Sequence, residues 1–174
     1  VTGFVAGTAA GETTTLGRGG SDYTATLLGA VLDAEAVEIW TDVNGVMSAD
    51  PRIVKEAFSL ESLSYDELME LSHWGAKVMH PAAVQPAREK GLPVLIRNTL
   101  NRTFEGTEVR AGAPTKQGFP VRGIASINNV SLLRLEGTGL PGSTGTAERL
   151  FGALARKRIS VILITQASSE RSIC

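Results

Sequence analysis

The chain has 174 residues, of which 43% are hydrophobic and 20% are charged, and its formal net charge is −1. This composition suffices for one or two small globular domains with apolar cores, and the near balance of charges argues against a surface built to bind nucleic acid or an anionic membrane. No run of about 18 apolar residues is present, which excludes an obvious membrane-spanning helix.

The termini and the cysteine content indicate the cellular context. The single cysteine, Cys174, cannot form an internal disulfide, which favours a reducing compartment. No basic-then-apolar signal peptide opens the chain. We therefore expect a cytoplasmic protein, or a plastid protein if the parent comes from a plant. The chain opens inside the strand-like "VTGFVAG" and stops where another strand begins, so we also expect a fragment of a longer protein.

Three short strands are predicted in the first half, at "GFVAG", "AVEIWTDV" (36–43) and "PVLIRNT" (93–99). Between the first two, apolar residues repeat at helical spacing from Ala25 to Leu32, and either Ser21 or Asp22 can serve as the N-cap. We expect the first strand to be buried and to join the other two in one sheet.

Two further helices are predicted between the second and third strands. Ser64 and Glu67 have the capping-box spacing and open "YDELMELSHWG". Pro81 begins the next helix, although Pro86 would kink this helix or delay its start. Strands that alternate with helices indicate the α/β class, with a mainly parallel sheet covered on both faces.

Residues 101–120 lose periodicity and gather Gly, Pro and Thr, which indicates a domain boundary. We predict a first domain at 1–112, a linker at 113–120 and a second domain at 121–174. The second domain has strands at "NVSLLRLEG", "ISVILITQ" and "SERSIC" and an amphipathic helix at "TGTAERLFGALARKR". This β-α-β-β order is the first part of a ferredoxin-like unit.

A glycine-rich turn at 17–20 runs into the first helix. Gly17, Gly19 and Gly20 permit positive φ and a close approach of the main chain to a ligand. The free N–H groups of the helix N-terminus and the guanidinium of Arg18 favour an anion. The turn therefore predicts an anion-binding cradle, although simple tight-turn chemistry explains the same residues. It matches neither the Walker nor the dinucleotide-binding glycine pattern.

Polar residues end the other two strands. Thr41 and Asp42 close the second strand and Asn98 closes the third, so in a parallel sheet they would share a cleft with the glycine turn. Each has an ordinary explanation as well, since Asp42 can cap a turn. His73 and His80 have no acidic or cysteine partner in a metal-binding pattern, and we interpret both as packing or hydrogen-bonding residues.

Four segments in order resemble the C-terminal half of the aspartokinase catalytic domain, in the amino-acid-kinase family. They are "TLGRGGSDYTAT", "EIWTDVNGVMSADPR", "ELSHWGAKVMHP" and "PVLIRNT" with a following "GT". The resemblance runs from Gly3 to about Thr107 and implies the amino-acid-kinase fold, which is like that of carbamate kinase. It also implies transfer of the γ-phosphoryl group of MgATP to the β-carboxylate of L-aspartate.

The resemblance assigns roles to the glycine turn. Arg18 would hold a carboxylate of the substrate aspartate, and Gly19, Gly20 and Ser21 would donate hydrogen bonds. A carboxylate nucleophile has an ordinary pKa of about 3.9 and is already ionised at neutral pH, so no general base is needed. Asp22 would therefore orient catalytic lysines.

The resemblance also assigns a nucleotide site with Mg²⁺ carried by ATP. Its residues would be Thr41, Asp42, Met47, Arg52, Lys77 and Val78, with Lys77 also catalytic. Taken alone, Arg52 can be a surface cation in a turn and Lys77 can be solvated. Met47 stands where many aspartokinases carry tyrosine, and a thioether cannot donate a hydrogen bond.

The Lys-Phe-Gly-Gly phosphate-binding segment that begins aspartokinases does not occur in this sequence, nor do the serine and threonine loops that follow it. We therefore expect the isolated chain not to phosphorylate aspartate at a useful rate.

The second segment resembles the first regulatory ACT domain of these enzymes. "GTAERLFGALARKRISVILITQASSERSIC" is most similar to the bifunctional aspartokinase–homoserine dehydrogenases. This implies a feedback amino acid, with threonine favoured over lysine, bound near Gly139 and Gln166. Gln166 can instead pair with a neighbouring strand in an ACT dimer. A homodimer or larger homo-oligomer is implied.

Two other functions fit the same residues. One is another kinase of this fold, such as a glutamate or acetylglutamate kinase. The other is a non-catalytic module that senses an amino acid and keeps the kinase remnant as a scaffold.

Overall fold

A computed structural model of the chain describes residues 3–73, 78–113, 121–136, 144–165 and 172–173. The chain divides into two compact units, Val1–Ile127 and Asn128–Cys174. None of the described helices combines the length and the apolar character needed to cross a bilayer.

The first unit contains short strands and three helices in its described part. In chain order they are β1 (Val5–Gly7), β2 (Thr13–Thr15), α1 (Gly20–Val31), β3 (Val37–Thr41), β4 (Ser62–Leu63), α2 (Tyr65–His73), α3 (Pro81–Lys90), β5 (Val94–Asn98) and β6 (Thr107–Val109).

Four of these strands form one sheet in the order β3-β5-β6-β4. Strands β3 and β5 are parallel, with Val37 opposite Val94 and Thr41 opposite Asn98. Strands β4 and β6 are also parallel, whereas β5 and β6 are antiparallel. Parallel pairings therefore predominate, which confirms the predicted α/β class.

Helices α1 and α3 lie side by side, and each leads into its strand through a short turn. Gly29 of α1 permits close contact with β3, because a Cβ atom there would lie 2.5 Å from Val37 Cγ2 and 2.9 Å from Leu92 Cδ2. Val37 and Ile39 of β3 are buried, whereas Glu38 and Trp40, on its other face, are exposed. The helices are therefore fixed against the apolar face of the sheet.

The first strand differs from the prediction of a buried strand in the main sheet. Strand β1 instead pairs with β2 in a separate antiparallel hairpin, and Val5 is 56% exposed. The glycine turn therefore follows β2 and not the first strand of a parallel sheet. The apolar pattern "GFVAG" did not reveal its partner, which is the threonine-rich segment just after it.

The start of α1 also differs from the prediction. Gly19 is the N-cap, with φ 75°, and no side chain caps the helix. Ser21 and Asp22, the two predicted caps, lie inside the first turn. A left-handed glycine therefore terminates the loop in place of a capping side chain.

The predicted capping box is confirmed at α2. The Ser64 N–H donates to Glu67 Oε2 at 2.7 Å, and the Glu67 N–H donates to Ser64 Oγ at 3.2 Å. Burial works to raise the pKa of Glu67, but the hydrogen bonds from Ser64 and the charge of Arg122 outweigh it and lower the pKa below its ordinary value. Helix α2 thus begins at the residue that the sequence indicates.

Helix α3 begins at Pro81, as predicted, and continues through Pro86 to Lys90. Pro86 does not delay the helix start. Its ring is buried, so packing compensates for the backbone hydrogen bond that proline cannot donate. Gly91 ends the helix in the left-handed region with φ 65°.

The domain boundary stays a prediction, because most of the predicted linker lies outside the described residues. Residues 121–127, which the sequence assigns to the second domain, belong to the first compact unit. Arg122 contacts both carboxylate oxygens of Glu67 and the Ser62 carbonyl. The Ile124 N–H donates to the Ser48 carbonyl at 2.8 Å.

The second unit contains β7 (Leu135–Glu136), α4 (Thr146–Arg156) and β8 (Ser172–Ile173) in its described part. Strands β7 and β8 are antiparallel, and α4 is the predicted amphipathic helix. The predicted strand "ISVILITQ" is not a strand over residues 159–165, which are exposed and have no sheet partner in the described structure. Its run of apolar residues is typical of a strand, but the described structure has no strand beside residues 159–165.

Candidate active site

The glycine turn places unpaired backbone donors at the start of α1. Gly17 and Gly19 have φ 77° and 75°, and the Gly20 N–H donates to the Gly17 carbonyl at 3.1 Å. The first intrahelical bond runs from the Tyr23 N–H to the Gly19 carbonyl. The N–H groups of Ser21 and Asp22 therefore have no partner within the helix, and the positive end of the helix dipole lies beside them.

The charged residues of this turn differ in exposure. Arg18 is exposed and makes no ion pair within the described parts of the chain. Asp22 is partly buried, and Ser21 Oγ donates to Asp22 Oδ1 at 3.4 Å. Burial raises the pKa of Asp22 above its ordinary value, although the Ser21 hydrogen bond and the charge of His80 act in the opposite direction. The turn thus combines an accessible cation with a partly desolvated carboxyl group.

The start of α3 lies directly against the glycine turn. A Cβ atom on Gly19 would overlap the Cβ of His80 and lie 2.9 Å from its Cγ. His80 is the N-cap of α3, and its Nδ1 accepts a hydrogen bond from the Ala82 N–H at 3.3 Å. The two helix N-termini therefore meet at Gly19 and His80.

The ends of β3 and β5 are joined by polar contacts. Thr41 Oγ1 donates to Asp42 Oδ1 at 3.2 Å, and the Thr99 N–H donates to the Thr41 carbonyl at 2.8 Å. Asn98 is buried, and its Nδ2 donates to Asn44 Oδ1 at 2.7 Å. These bonds fix the segment that follows β3 against the end of β5.

The same segment is fixed again at Val46. The Val46 N–H donates to Thr107 Oγ1 at 2.8 Å, and Thr107 Oγ1 donates to the Leu60 carbonyl at 2.6 Å. Met47 pairs with Ser59 through an isolated bridge, and Ser59 Oγ donates to Met47 Sδ at 3.4 Å. Residues 41–47 are thus held by hydrogen bonds on both sides, of which the bond from the Val46 N–H to Thr107 is buried.

Arg52 lies in a separate exposed turn. Its guanidinium makes a bidentate contact with Asp50, with Nη2 2.7 Å from Oδ2, and its side chain is 85% exposed. Hydrogen bonds from Arg52 lower the pKa of Asp50 to about 2. To bind a phosphate, the guanidinium must exchange this carboxylate for the ligand.

Helix direction brings the glycine turn to the same sheet edge as Thr41 and Asn98. Residues 32–36 reverse the chain, so α1 runs opposite to β3 along the sheet. Twelve helical residues span about 18 Å and five strand residues span about 16 Å. The N-terminus of α1 therefore lies at the edge where β3 ends, and the same argument applies to α3 and β5.

Three of the predicted site residues cannot be located in the structure. Lys77, Gly139 and Gln166 lie outside the described residues. Val78 is half-buried and packs against the core, one residue before the buried Met79. No group of three metal-ligating side chains occurs in the described parts of the chain.

The structure adds residues that sequence reasoning did not assign to the site. The sequence predicts a packing or hydrogen-bonding role for His80, and this is confirmed by its contact with Gly19 and its hydrogen bond from Ala82. The sequence does not indicate that the contact is with the glycine turn or that His80 acts on Asp22. Asn44 was not considered, although it binds Asn98. The available signal for His80 was its position immediately before Pro81, which is an N-cap position.

A groove of about 450 Å³ lies between the outer sides of α1 and α3. Its lining includes Tyr23, Leu27 and Gln85, and it extends toward Lys90. Apart from Tyr23, which lies in the first turn of α1, the lining residues lie in the middle and toward the C-termini of the two helices. The groove is therefore distinct from the helix N-termini that carry the predicted anion site.

Comparison with known proteins identifies two family regions. The amino acid kinase family matches residues 1–98, and an ACT domain matches residues 133–174. A chloroplastic bifunctional aspartokinase/homoserine dehydrogenase of Daucus carota is 47% identical, over 99% of this chain and 19% of that protein. These matches confirm the resemblance inferred from the sequence.

Solved structures are similar over nearly the whole chain. Aspartokinase III of E. coli in complex with lysine and aspartate is 41% identical with a TM-score of 0.78, over 98% of this chain and 38% of that one. The same enzyme with aspartate and ADP is 36% identical with a TM-score of 0.68, over 98% and 37%. This chain therefore spans about a fifth of the bifunctional relative and under two fifths of aspartokinase III. Because the family match covers more than half of its residues, the chain belongs to the amino acid kinase family.

Proposed function

We propose that the protein containing this chain transfers the γ-phosphoryl group of MgATP to the β-carboxylate of L-aspartate, as the first step toward lysine, threonine and methionine. The main support is the match of residues 1–98 to the amino acid kinase family, together with the glycine turn at the start of α1. Similar aspartokinase structures that hold aspartate and ADP support the choice of substrates.

The chemistry requires alignment of two anions more than proton transfer. The aspartate carboxylate is already ionised at neutral pH, so the site must orient it in line with the γ-phosphorus and neutralise charge. Arg18 and the N–H groups of Gly19, Gly20 and Ser21 would hold the amino-acid substrate, and the Gly20 N–H would exchange its bond to the Gly17 carbonyl for one to the substrate. Asp22 would orient neighbouring cations, Lys77 among them.

The nucleotide would lie beside the ends of β3 and β5. Thr41, Asp42 and Met47 belong to the segment fixed by Asn98 and Thr107, and Arg52, Lys77 and Val78 complete the proposed set. Mg²⁺ would arrive on the ATP phosphates, since this ion is commonly held by substrate phosphates with one or two carboxylates.

Arg18 provides the sharpest test of the amino-acid site. In the protein encoded by the complete parent gene, Arg18→Ala should reduce kcat/KM for aspartate at least about 100-fold, because a bidentate charge-assisted contact is lost. The KM for ATP should change much less. Arg156→Ala, at an exposed position in α4, is the control. Equal effects on both substrates would contradict the assignment of Arg18 to the aspartate carboxylate.

The isolated 174-residue chain should be inactive, because the Lys-Phe-Gly-Gly segment does not occur in it. A coupled ATPase assay is expected to give no aspartate-dependent turnover. Aspartate-dependent turnover by this chain alone would show that the missing segment is dispensable.

The second unit would bind a feedback amino acid near Gly139 and Gln166. Its match to an ACT domain supports this proposal. Threonine is favoured because the most similar second segments belong to bifunctional enzymes, and lysine is the alternative because aspartokinase III was solved with lysine.

A homodimer or larger homo-oligomer would form through this unit. A Rossmann domain downstream in the parent gene would identify the parent as a bifunctional aspartokinase–homoserine dehydrogenase. A bacterial parent would be cytoplasmic, and a plant parent would reside in the plastid, as the carrot relative does.

A second candidate function is a non-catalytic sensor that keeps the kinase fold as scaffold. The ACT match favours it, while the presence of Arg18, Asp22 and Lys77 favours the kinase. Calorimetry with threonine, lysine and MgATP on the parent protein separates the two. Binding of an effector without binding of nucleotide would favour the sensor.

A further inference from the structure

We propose that His80 is a positioning residue that fixes the glycine turn and Asp22 against the start of α3. The proposal rests on the proposed aspartate kinase function, in which this turn holds the amino-acid substrate. Two contacts and one electrostatic interaction support it.

The first contact is the close approach of Gly19 to His80. A Cβ atom on Gly19 would overlap His80 Cβ and would lie 3.5 Å from Cδ2, at the edge of the ring. Gly19 also has φ 75°, which side-chain-bearing residues rarely adopt. The main chain of the substrate turn therefore rests directly on the histidine side chain.

The second contact fixes the ring itself. Nδ1 of His80 accepts from the Ala82 N–H, and Pro81 occupies the first helical position with its φ already suited to a helix. An imidazole that accepts at Nδ1 carries its proton on Nε2, so the contact also selects the tautomer. Protonation of Nδ1 would break this cap.

The backbone of His80 is also held in place. Met79, the preceding residue, is 3% exposed and belongs to the main core. At the far ends of the two helices, Lys90 Nζ lies 3.2 Å from Asp33 Oδ1. His80 therefore has a fixed base from which to support the turn.

The third interaction is with Asp22. Burial raises the pKa of Asp22, while the Ser21 hydroxyl and the charge of His80 lower it. Ser21 and His80 are the two groups found to favour ionised Asp22 in the described part of the chain. That charge exists only when both ring nitrogens are protonated, a form in which Nδ1 cannot accept from Ala82, so the cap and the effect on Asp22 belong to two different forms of His80.

His80 also connects the two proposed substrate sites. It follows Val78, a proposed nucleotide residue, by two positions, and it touches Gly19, a proposed aspartate residue. Displacement of the histidine would change the distance between the two reactants. Misplacement of reacting groups by about 1 Å can cost about 100-fold in rate.

Two variants of the parent protein separate positioning from simple helix capping. Asn is as good an N-cap as any residue, so His80→Asn keeps an acceptor for the Ala82 N–H but removes the ring. His80→Ala removes both. We expect His80→Ala to lower the Tm by several degrees, as loss of a cap of about 1 kcal/mol does, and His80→Asn to recover most of that loss.

The kinetic result should not follow the stability result. Both variants should show kcat/KM for aspartate reduced about 10- to 100-fold. Glu89→Gln, at an exposed position near the far end of α3, is the matched control and should leave these constants within about twofold, as a substitution at the opposite end of the same helix should. If His80→Asn restores kcat/KM together with the Tm, His80 is only a cap and the proposal is wrong.

A second readout needs no enzyme activity. In the 174-residue chain, ¹³C-carboxyl NMR should show the pKa of Asp22 raised further in His80→Asn than in wild type, because the positive charge beside it is gone. An unchanged Asp22 pKa would overturn the electrostatic part of the proposal. If the parent protein lacks aspartate kinase activity but this shift is observed, the proposed function fails while the contact between His80 and the turn stands.

Discussion

Thr107→Val should both destabilise the first unit and loosen the proposed nucleotide segment. Thr107 begins β6 and is 0% exposed. Its Oγ1 accepts from the Val46 N–H at 2.8 Å and donates to the Leu60 carbonyl at 2.6 Å. Valine has nearly the same shape, so the substitution removes two hydrogen bonds without opening a cavity.

The magnitude follows from the two groups left without partners. Each buried unsatisfied polar group costs about 1–3 kcal/mol. The methyl group that replaces the hydroxyl returns about 0.8 kcal/mol of apolar burial. Thr107→Val should therefore reduce the free energy of unfolding by about 1–5 kcal/mol, a large share of the roughly 5–15 kcal/mol typical of a domain.

Urea unfolding monitored by tryptophan fluorescence measures this change, since Trp40 lies in β3 of the first unit. Thr14→Val, at an exposed position of β2, is the matched control and should change the free energy of unfolding by less than about 0.5 kcal/mol. A loss of less than about 1 kcal/mol for Thr107→Val would refute the argument, because it would mean that neither partner needs the hydroxyl. In the parent protein, the KM for ATP should rise more than the KM for aspartate.

The remaining predictions concern a glycine and two carboxyl groups. Gly106→Ala should lower the free energy of unfolding in urea by about 3 kcal/mol or more, because φ is 80° and a Cβ atom would overlap a carbonyl of β5. Gly91→Ala, where φ is 65° and the space is open, should lower it by only about 1–2 kcal/mol. Asp22→Asn should abolish kinase activity in the parent yet raise the Tm at neutral pH. A raised pKa means that ionisation opposes folding as pH rises through it, so the difference should vanish in acid. By NMR, Asp50 should titrate at about 2, and in Arg52→Gln its pKa should return toward the ordinary value.

Secondary structure was predictable where the signal is local. The capping box at Ser64 and Glu67 requires only residues three apart, and the start of α3 depends on Pro81 alone. Strands β3 and β5 carry compact apolar runs, and their parallel pairing follows from the helices between them. In each case residues that are close together in the sequence determine the element.

Elements whose stability depends on distant partners were missed. Strand β6, Thr107–Val109, lies in a segment that was interpreted as a boundary because three residues show no recognisable period. It forms because β5 and β4 lie on its two sides. The opposite error occurred at residues 159–165, where an apolar run has no adjacent strand in the described structure.

The candidate site divides in the same way. The glycine turn was predictable because Gly17, Arg18, Gly19 and Asp22 lie within six consecutive residues that lead into a helix. The contact between Gly19 and His80 depends on how α1 packs against α3, and no local pattern encodes that distance. The sequence therefore predicts a packing or hydrogen-bonding role for His80 but does not identify Gly19 as the residue that it contacts.

The position of the glycine turn is set largely by packing at the other end of its helix. Gly29 lets α1 contact β3 so closely that a single added methyl group would lie 2.5 Å from Val37 Cγ2. Helix α1 behaves as a rod of about 18 Å, so a change in its seating at Gly29 must move its N-terminus as well. Because Gly19 rests on His80, such a movement cannot be absorbed at the turn without displacing α3. The turn therefore needs contacts at both ends of α1, which explains why neither the glycine motif nor the helix pattern alone is sufficient to define the site.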